Sequence, residues 1–267
     1  MPQIWRYQRD KPLEQIEDEV AAEEPLEIRV KNRAVSITMR TPGRDAELAA
    51  GFLLTEGMIG HREDVLRMEP CALDSGGNVL NVLLAPNVPV DFDKLTRHVF
   101  ASTSCGLCGK ATIESVHQRL DPIQSDLVID ASTLLTLPQR LRESQPTFDR
   151  TGGLHAAAIF TAQGELVVAR EDVGRHNAVD KVLGYGLLNG LLPFDRHVLM
   201  ISGRGSFEIM QKALSARVPI AAAVSAPSSL AVEFARESDQ TLVGFLRENR
   251  MNVYSCPHRV RLEQETR

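Results

Sequence analysis

The chain has 267 residues, 43% hydrophobic and 24% charged, and a formal net charge of −5, which is the composition of an ordinary globular protein long enough for one large domain or two smaller ones. The negative balance argues against a protein that coats DNA or RNA, and no apolar run reaches the ~18–20 residues that span a bilayer. The charged N-terminus has no apolar stretch typical of a secretory signal, and four cysteines do not make a disulfide scaffold, so a cytoplasmic protein with reduced thiols is expected.

Residues 1–24 read as a polar, acidic arm with Ile4, Trp5 and Tyr7 as its apolar anchors. The stretch 25–39 predicts a hairpin around Lys31-Asn32-Arg33, although the turn contains no glycine. Ala46, Ala49, Ala50, Leu53 and Leu54 recur at helical spacing within 43–59, with Gly57 as a stop signal. Residues 65–86 predict two strands joined by Asp74-Ser75-Gly76-Gly77. Two short helices, 91–100 and 110–120, flank a cysteine-bearing loop, and a further helix over 130–145 is expected to bend or divide at Pro138. From about 151 the pattern becomes a hairpin followed by strands alternating with helices. This predicts a layered α/β domain around a mostly parallel sheet.

The cysteine-bearing loop reads Ser102-Thr103-Ser104-Cys105-Gly106-Leu107-Cys108-Gly109-Lys110. A structural zinc site needs a second ligand pair, and no other C-x-x-C or ligand-spaced histidine pair accompanies it. The glycines loosen the backbone, and Lys110 and the following helix N-terminus favour a thiolate. Such a thiolate suits sulfur transfer and disulfide exchange equally, and spacing alone does not separate them.

The segment 171–181, EDVGRHNAVDK, crowds Arg175, His176, Asn177, Asp180 and Lys181 at a strand-to-helix junction. Asp180 lies one helical turn from His176, where a carboxylate can fix an imidazole tautomer. The segment 202–208, SGRGSFE, places Arg204 and a capping Ser206 before a helix. Backbone N–H groups, a helix dipole and a guanidinium there suit an anion. Ser225-Ala226-Pro227-Ser228-Ser229 repeats the arrangement after the next strand, so the two junctions should share a crevice for a nucleotide-like ligand. Arg247, Arg250 and Arg259, with Phe245 as a flat face, supply a basic cluster suited to a diphosphate or a base.

Taken together, SCGLCG, GGLHAA, EDVGRHNAVDK, SGRGSFEIMQKA, AVSAPSSLAVE and TLVGF…NVY resemble, in order, the formate dehydrogenase accessory sulfurtransferases, the FdhD-type sulfur carriers. The resemblance covers about 25 to 259. It implies a C-terminal three-layer domain similar to cytidine deaminases over 126–267, a smaller N-terminal α+β domain over 25–125, and the arm at 1–24. It further implies a sulfurtransferase in which Cys105 carries persulfide sulfur and Cys108 assists. A cysteine desulfurase would donate that sulfur, which passes to Mo-bis(molybdopterin guanine dinucleotide) for formate dehydrogenase. The family's cofactor-binding stretch maps to Phe245, Leu246, Arg247, Glu248, Asn249 and Arg250; Arg204, Ser206 and His176 join it from the residue-level reading. GDP would mimic the ligand, and the resemblance implies a homodimer. The deaminase zinc signature is missing, since His155 is followed by Ala-Ala-Ala and no P-C-x-x-C occurs, so no metal ligand and no deaminase activity are expected. A thiol–disulfide oxidoreductase and a non-catalytic cofactor chaperone are the alternatives.

Overall fold

The computed structural model describes residues 1–71, 74, 76–90 and 121–262. Cys105, Cys108 and the helices expected at 91–100 and 110–120 lie outside the described residues.

The arm forms a two-stranded hairpin, β1 (Gln3–Arg6) and β2 (Glu14–Glu17), with Trp5 and Tyr7 exposed. The expected hairpin is β3 (Glu24–Val30) and β4 (Arg33–Arg40). Its two-residue turn needs positive φ at both central positions, and Lys31 and Asn32 supply it at 50° and 62° without glycine. β5 (Val65–Pro70) and β6 (Val79–Leu84) complete a sheet ordered β4-β3-β6-β5. Between its two hairpins runs α1 (Asp45–Thr55).

The second half begins with the short β7 (Ile129–Asp130) and α2 (Ala131–Glu143). α2 runs unbroken through Pro138, correcting the expected division, and then comes a further short helix, α3 (Pro146–Thr151). The remaining elements are β8 (His155–Thr161), β9 (Leu166–Asp172), α4 (Arg175–Leu188), β10 (His197–Ile201), α5 (Phe207–Ser215), β11 (Ile220–Ala223), α6 (Ser229–Glu237), β12 (Thr241–Arg247) and β13 (Arg250–Val253). β14 (Val260–Arg261) returns to pair in parallel with β7.

The large sheet is ordered β13-β12-β11-β10-β8-β9. Only the β10–β11 and β11–β12 pairs are parallel, while β12–β13, β10–β8 and β8–β9 are antiparallel. The expected mostly parallel sheet is therefore a mixed one. The strand–helix alternation does produce the parallel centre, but a hairpin is fused to each side of it.

Side-chain alternation on these strands sorts the core. Ala156, Ala158 and Phe160 of β8 pack with Leu134, Leu137 and Leu141 of α2. Ala157 and Ile159 face the other way, into a cluster with Val179, Val182 and Leu183 of α4. The same cluster continues through α1 to Leu26, Ile28 and Val82 of the N-terminal sheet. α5 and α6 share a third cluster, with Phe207 and Phe234 edge-to-face at 5.0 Å.

The halves meet where α1 crosses α4. Gly51 and Gly184 allow that contact: a Cβ on Gly51 would stand 1.8 Å from the Asp180 carbonyl oxygen, and one on Gly184 1.8 Å from that of Glu47. Arg170 of β9 adds a two-pronged pair with Glu47, Nε to Oε2 at 2.5 Å and Nη2 to Oε1 at 2.8 Å.

Candidate functional site

The register brings several junctions to one edge of the large sheet. His155 at the start of β8 pairs with Asp172 at the end of β9, and Ala157 pairs with Ile201 at the end of β10. The parallel strands β10, β11 and β12 end on that same edge, where α4, α5 and α6 begin after Gly174, Ser206 and Ser228. The SGRGS and SAPSS junctions lie side by side: Ser225 N donates to Gly203 O at 3.2 Å and Ser228 N to Gly205 O at 3.1 Å. Phe245 N donates in turn to Ser225 O at 3.2 Å. Three helix N-termini at one edge place partial positive charge together.

Most of the 171–181 motif ties the molecule together. The Glu171 carboxylate accepts from the backbone N–H groups of Thr147 and Phe148, capping α3. Asp172, fully buried, accepts from Gly174 N at 2.8 Å and Thr41 N at 3.2 Å, and stands 2.7 Å from Lys181 Nζ. Lys181 also donates to Thr41 O at 2.9 Å. Asn177 donates to Met39 O at 2.7 Å and accepts from Thr38 Oγ1 at 3.2 Å. A buried charge needs a partner and hydrogen bonds, and this set provides them while joining β4 to α4.

His176 and Asp180 do not form the expected pair. Asp180 faces α1 and α5, accepting from Thr55 Oγ1 at 3.0 Å and Lys212 Nζ at 2.8 Å. Burial pushes its carboxyl up, opposed by the Lys212 charge and the Lys212 and Thr55 hydrogen bonds. The carboxylate beside His176 is instead Glu208 in the first turn of α5, with Nε2 2.8 Å from Oε2. Spacing along one helix gave no view of this neighbour from the next.

Next to this pair, Arg175 and His155 flank the half-buried Gly203; a Cβ there would stand 3.7 Å from both Arg175 Cδ and His155 Nδ1. Burial holds the His155 imidazole below its usual range, helped by the charges of Arg175 and His176 and opposed by Asp172. The sequence reading singled out neither His155 nor Glu208 as a site residue. The signal available was position, since one starts a strand and the other starts a helix at the shared edge.

The remaining expected site residues divide by exposure. Phe245, Arg247, Glu248, Asn249 and Arg250 are exposed on the β12–β13 hairpin, whereas the Leu246 side chain is fully buried in the core. Arg247 Nη1 donates to the carbonyls of Val224 and Leu246, latching the hairpin to the SAPSS junction. Arg204 is exposed at the same edge. Ser206 begins α5 without a side-chain capping bond, whereas Ser228 Oγ does cap α6 by accepting from Ala231 N at 3.2 Å. Arg259 does not join the basic cluster: it is 2% exposed and holds Asp239, with Nη2 2.7 Å from Oδ2. Among the described residues, no group of three or more His, Cys, Asp and Glu side chains is placed to hold a metal ion. No helix among them is long and apolar enough to cross a membrane.

A family model described as FdhD/NarQ matches residues 21–261. The chain is 51% identical over 262 residues to the sulfur carrier protein FdhD of Streptomyces avermitilis, covering 95% of this chain and 93% of that one. It is 52% identical over 248 residues to the sulfur carrier protein FdhD of Mycolicibacterium paratuberculosis, covering 90% and 91%. It is also similar to the crystal structure of a candidate formate dehydrogenase accessory protein from Desulfotalea psychrophila, with a TM-score of 0.75, 25% identity and coverage of 97% and 98%.

Proposed function

This chain belongs to the FdhD/NarQ family, and from that membership we propose that it is a sulfur carrier serving formate dehydrogenase, a sulfurtransferase acting through Cys105. The observation that carries this is near-full-length similarity to sulfur carrier proteins in a chain with two cysteines in a glycine-rich C-x-x-C at 105–108. The Cys105 thiolate attacks the outer sulfur of a persulfide on a cysteine desulfurase. A new S–S bond forms on Cys105, the donor's S–S bond breaks, and the donor cysteine leaves as a thiolate. Cys108 assists at the same loop.

The sulfur's acceptor is Mo-bis(molybdopterin guanine dinucleotide), bound here as cargo before it reaches formate dehydrogenase. The exposed Phe245, Arg247, Glu248, Asn249 and Arg250, with Arg204, Ser206 and His176 along the same sheet edge, form its binding surface. Leu246 holds the hairpin from the core. The gathered helix N-termini and exposed arginines support this reading, because the dinucleotide arms carry diphosphates. GDP is the soluble probe for this surface. We read residues 126–267 as a three-layer cytidine-deaminase-like domain, residues 25–125 as a smaller α+β domain and 1–24 as an arm, in a cytoplasmic homodimer.

Mass spectrometry after incubation with a cysteine desulfurase and cysteine tests the carrier step. A gain of about 32 Da that disappears in Cys105→Ala is expected for a persulfide. A loss of about 2 Da alone would mark a disulfide and favour the oxidoreductase instead. In cells, Cys105→Ala should abolish formate dehydrogenase activity; full activity would rule the carrier role out. Arg250→Ala should weaken GDP binding, and unchanged affinity would remove the hairpin from the binding surface.

A further inference from the structure

Three buried polar atoms stand at the starts of α4 and α5 without a hydrogen-bond partner among the described residues: Arg175 Nε, Ser206 Oγ and Glu208 Oε1. Native proteins satisfy nearly all such groups, so several orphans together need a physical explanation. Glu208 is 8% exposed, and its other oxygen lies 2.8 Å from His176 Nε2. The carboxylate thus sits against the imidazole with Oε1 unpartnered among the described residues. Arg175 precedes His176 in the same helical turn, and its side chain borders Gly203 together with His155.

The orphans are of opposite kinds. The guanidinium N–H only donates, the ionised carboxylate oxygen only accepts, and the hydroxyl does either. A phosphate would satisfy Arg175 and be repelled by Glu208, and a metal ion would do the reverse. A planar edge carrying adjacent N–H donors beside a carbonyl satisfies both.

We propose, resting on the cofactor-binding reading above, that Glu208 and Arg175 recognise the 2-amino-4-oxo pyrimidine edge shared by guanine and pterin rings. Glu208 Oε1 accepts from the ring N–H and exocyclic amine, Arg175 donates to the carbonyl, and Ser206 completes the rim. Glu208 is the deeper residue and Arg175 is only half-buried, so the ring edge enters as the Arg175 side chain swings aside. Glu208 sets specificity by charge: an amide in its place presents a donor where the ring also donates.

Calorimetry on the full-length protein tests this with two ligand pairs. GDP is compared with xanthosine diphosphate, and 6-hydroxymethylpterin with its 2-oxo lumazine counterpart. Each pair differs at the 2-amino group. The wild-type chain should prefer the 2-amino member of at least one pair by about tenfold or more, the scale of one hydrogen bond to a charged group. The discriminating pair identifies the ring as guanine or pterin. Glu208→Gln should weaken binding of that member about tenfold and narrow or reverse the preference. Equal binding, or none, within both pairs overturns the proposal without any variant. So does a folded Glu208→Gln protein with wild-type affinity for GDP and the pterin, which would leave the orphan atoms to buried water. Loss of GDP binding in Arg250→Ala with unchanged binding of the discriminating ligand in Glu208→Gln sinks this inference and leaves the hairpin reading standing; the converse removes the hairpin and leaves this one.

Discussion

Whether a thiol can carry sulfur is decided by its immediate surroundings. Cys256 shows the inert case. Its Sγ donates to Asp239 Oδ1 at 3.1 Å, and Asp239 is in turn held by Arg259. Burial first, and then the hydrogen bond and charge of Asp239, push the thiol up to about 11. A neutral thiol is a poor nucleophile, so at pH 8 Cys256 should resist iodoacetamide in the native protein and react once urea unfolds it. Peptide mass spectrometry reads both states, and rapid native labelling would contradict the assignment. The sign for stability follows from the same shift. Unfolded, the group ionises from its ordinary value of 9.0, while folded it keeps its proton to about 11. Its contribution therefore falls as pH rises across that interval. Residue-scale chemistry of this kind is hardly legible in sequence. Asp239 and Cys256 are 17 positions apart, as invisible to local spacing as Glu208 was to His176.

Among the secondary-structure elements, the decisive contact is the crossing of α1 and α4. Alanine is the better helix former, by about 1 kcal/mol over glycine, so Gly184→Ala would be stabilising on propensity alone. Here the added methyl would lie 1.8 Å from the Glu47 carbonyl oxygen and 2.6 Å from Gly51 N, both backbone atoms. Overpacking of that severity outweighs propensity, and a net loss of about 3 kcal/mol is expected in urea unfolding. A Cβ on Gly60 would meet nothing within 4 Å, and Gly60→Ala should shift the midpoint little; equal effects at the two sites would refute the crossing. The helices themselves were legible, because α4, α5 and α6 bury apolar stripes at helical spacing. α3 was not, since its start depends on Glu171 reaching from β9 to cap it. Strand direction was legible only in part: the β8–β9 hairpin was, whereas the antiparallel pairing of β8 with β10 joins strands separated along the chain by β9 and α4.

For the whole molecule, the sequence motifs separate into fastening and binding. The 171–181 segment reads locally as a ligand site. Yet Glu171, Asp172, Asn177, Asp180 and Lys181 point into contacts with α3, β4, α1 and α5, leaving Arg175 and His176 nearest the shared edge. The half that carries the surface proposed at 202–208 and 245–250 is thus fastened to the end of the N-terminal sheet through hydrogen bonds, while the proposed carrier cysteines belong to the separate stretch 102–110. Loading and cargo binding should therefore separate by mutation. Cys105→Ala should lose the persulfide adduct and keep wild-type GDP affinity. Arg250→Ala should keep the adduct and bind GDP at least several-fold more weakly, as expected for losing a charged partner of a diphosphate. Both proteins should fail to support formate dehydrogenase activity in cells, for different reasons, and a mixture of the two should not rescue it if one chain must both bear the sulfur and hold the cargo. Rescue by the mixture would show that the two tasks are shared between subunits across a dimer. Loss of the adduct in Arg250→Ala would show that cargo binding and sulfur loading use one surface, and the division of labour between loop and sheet edge would fall.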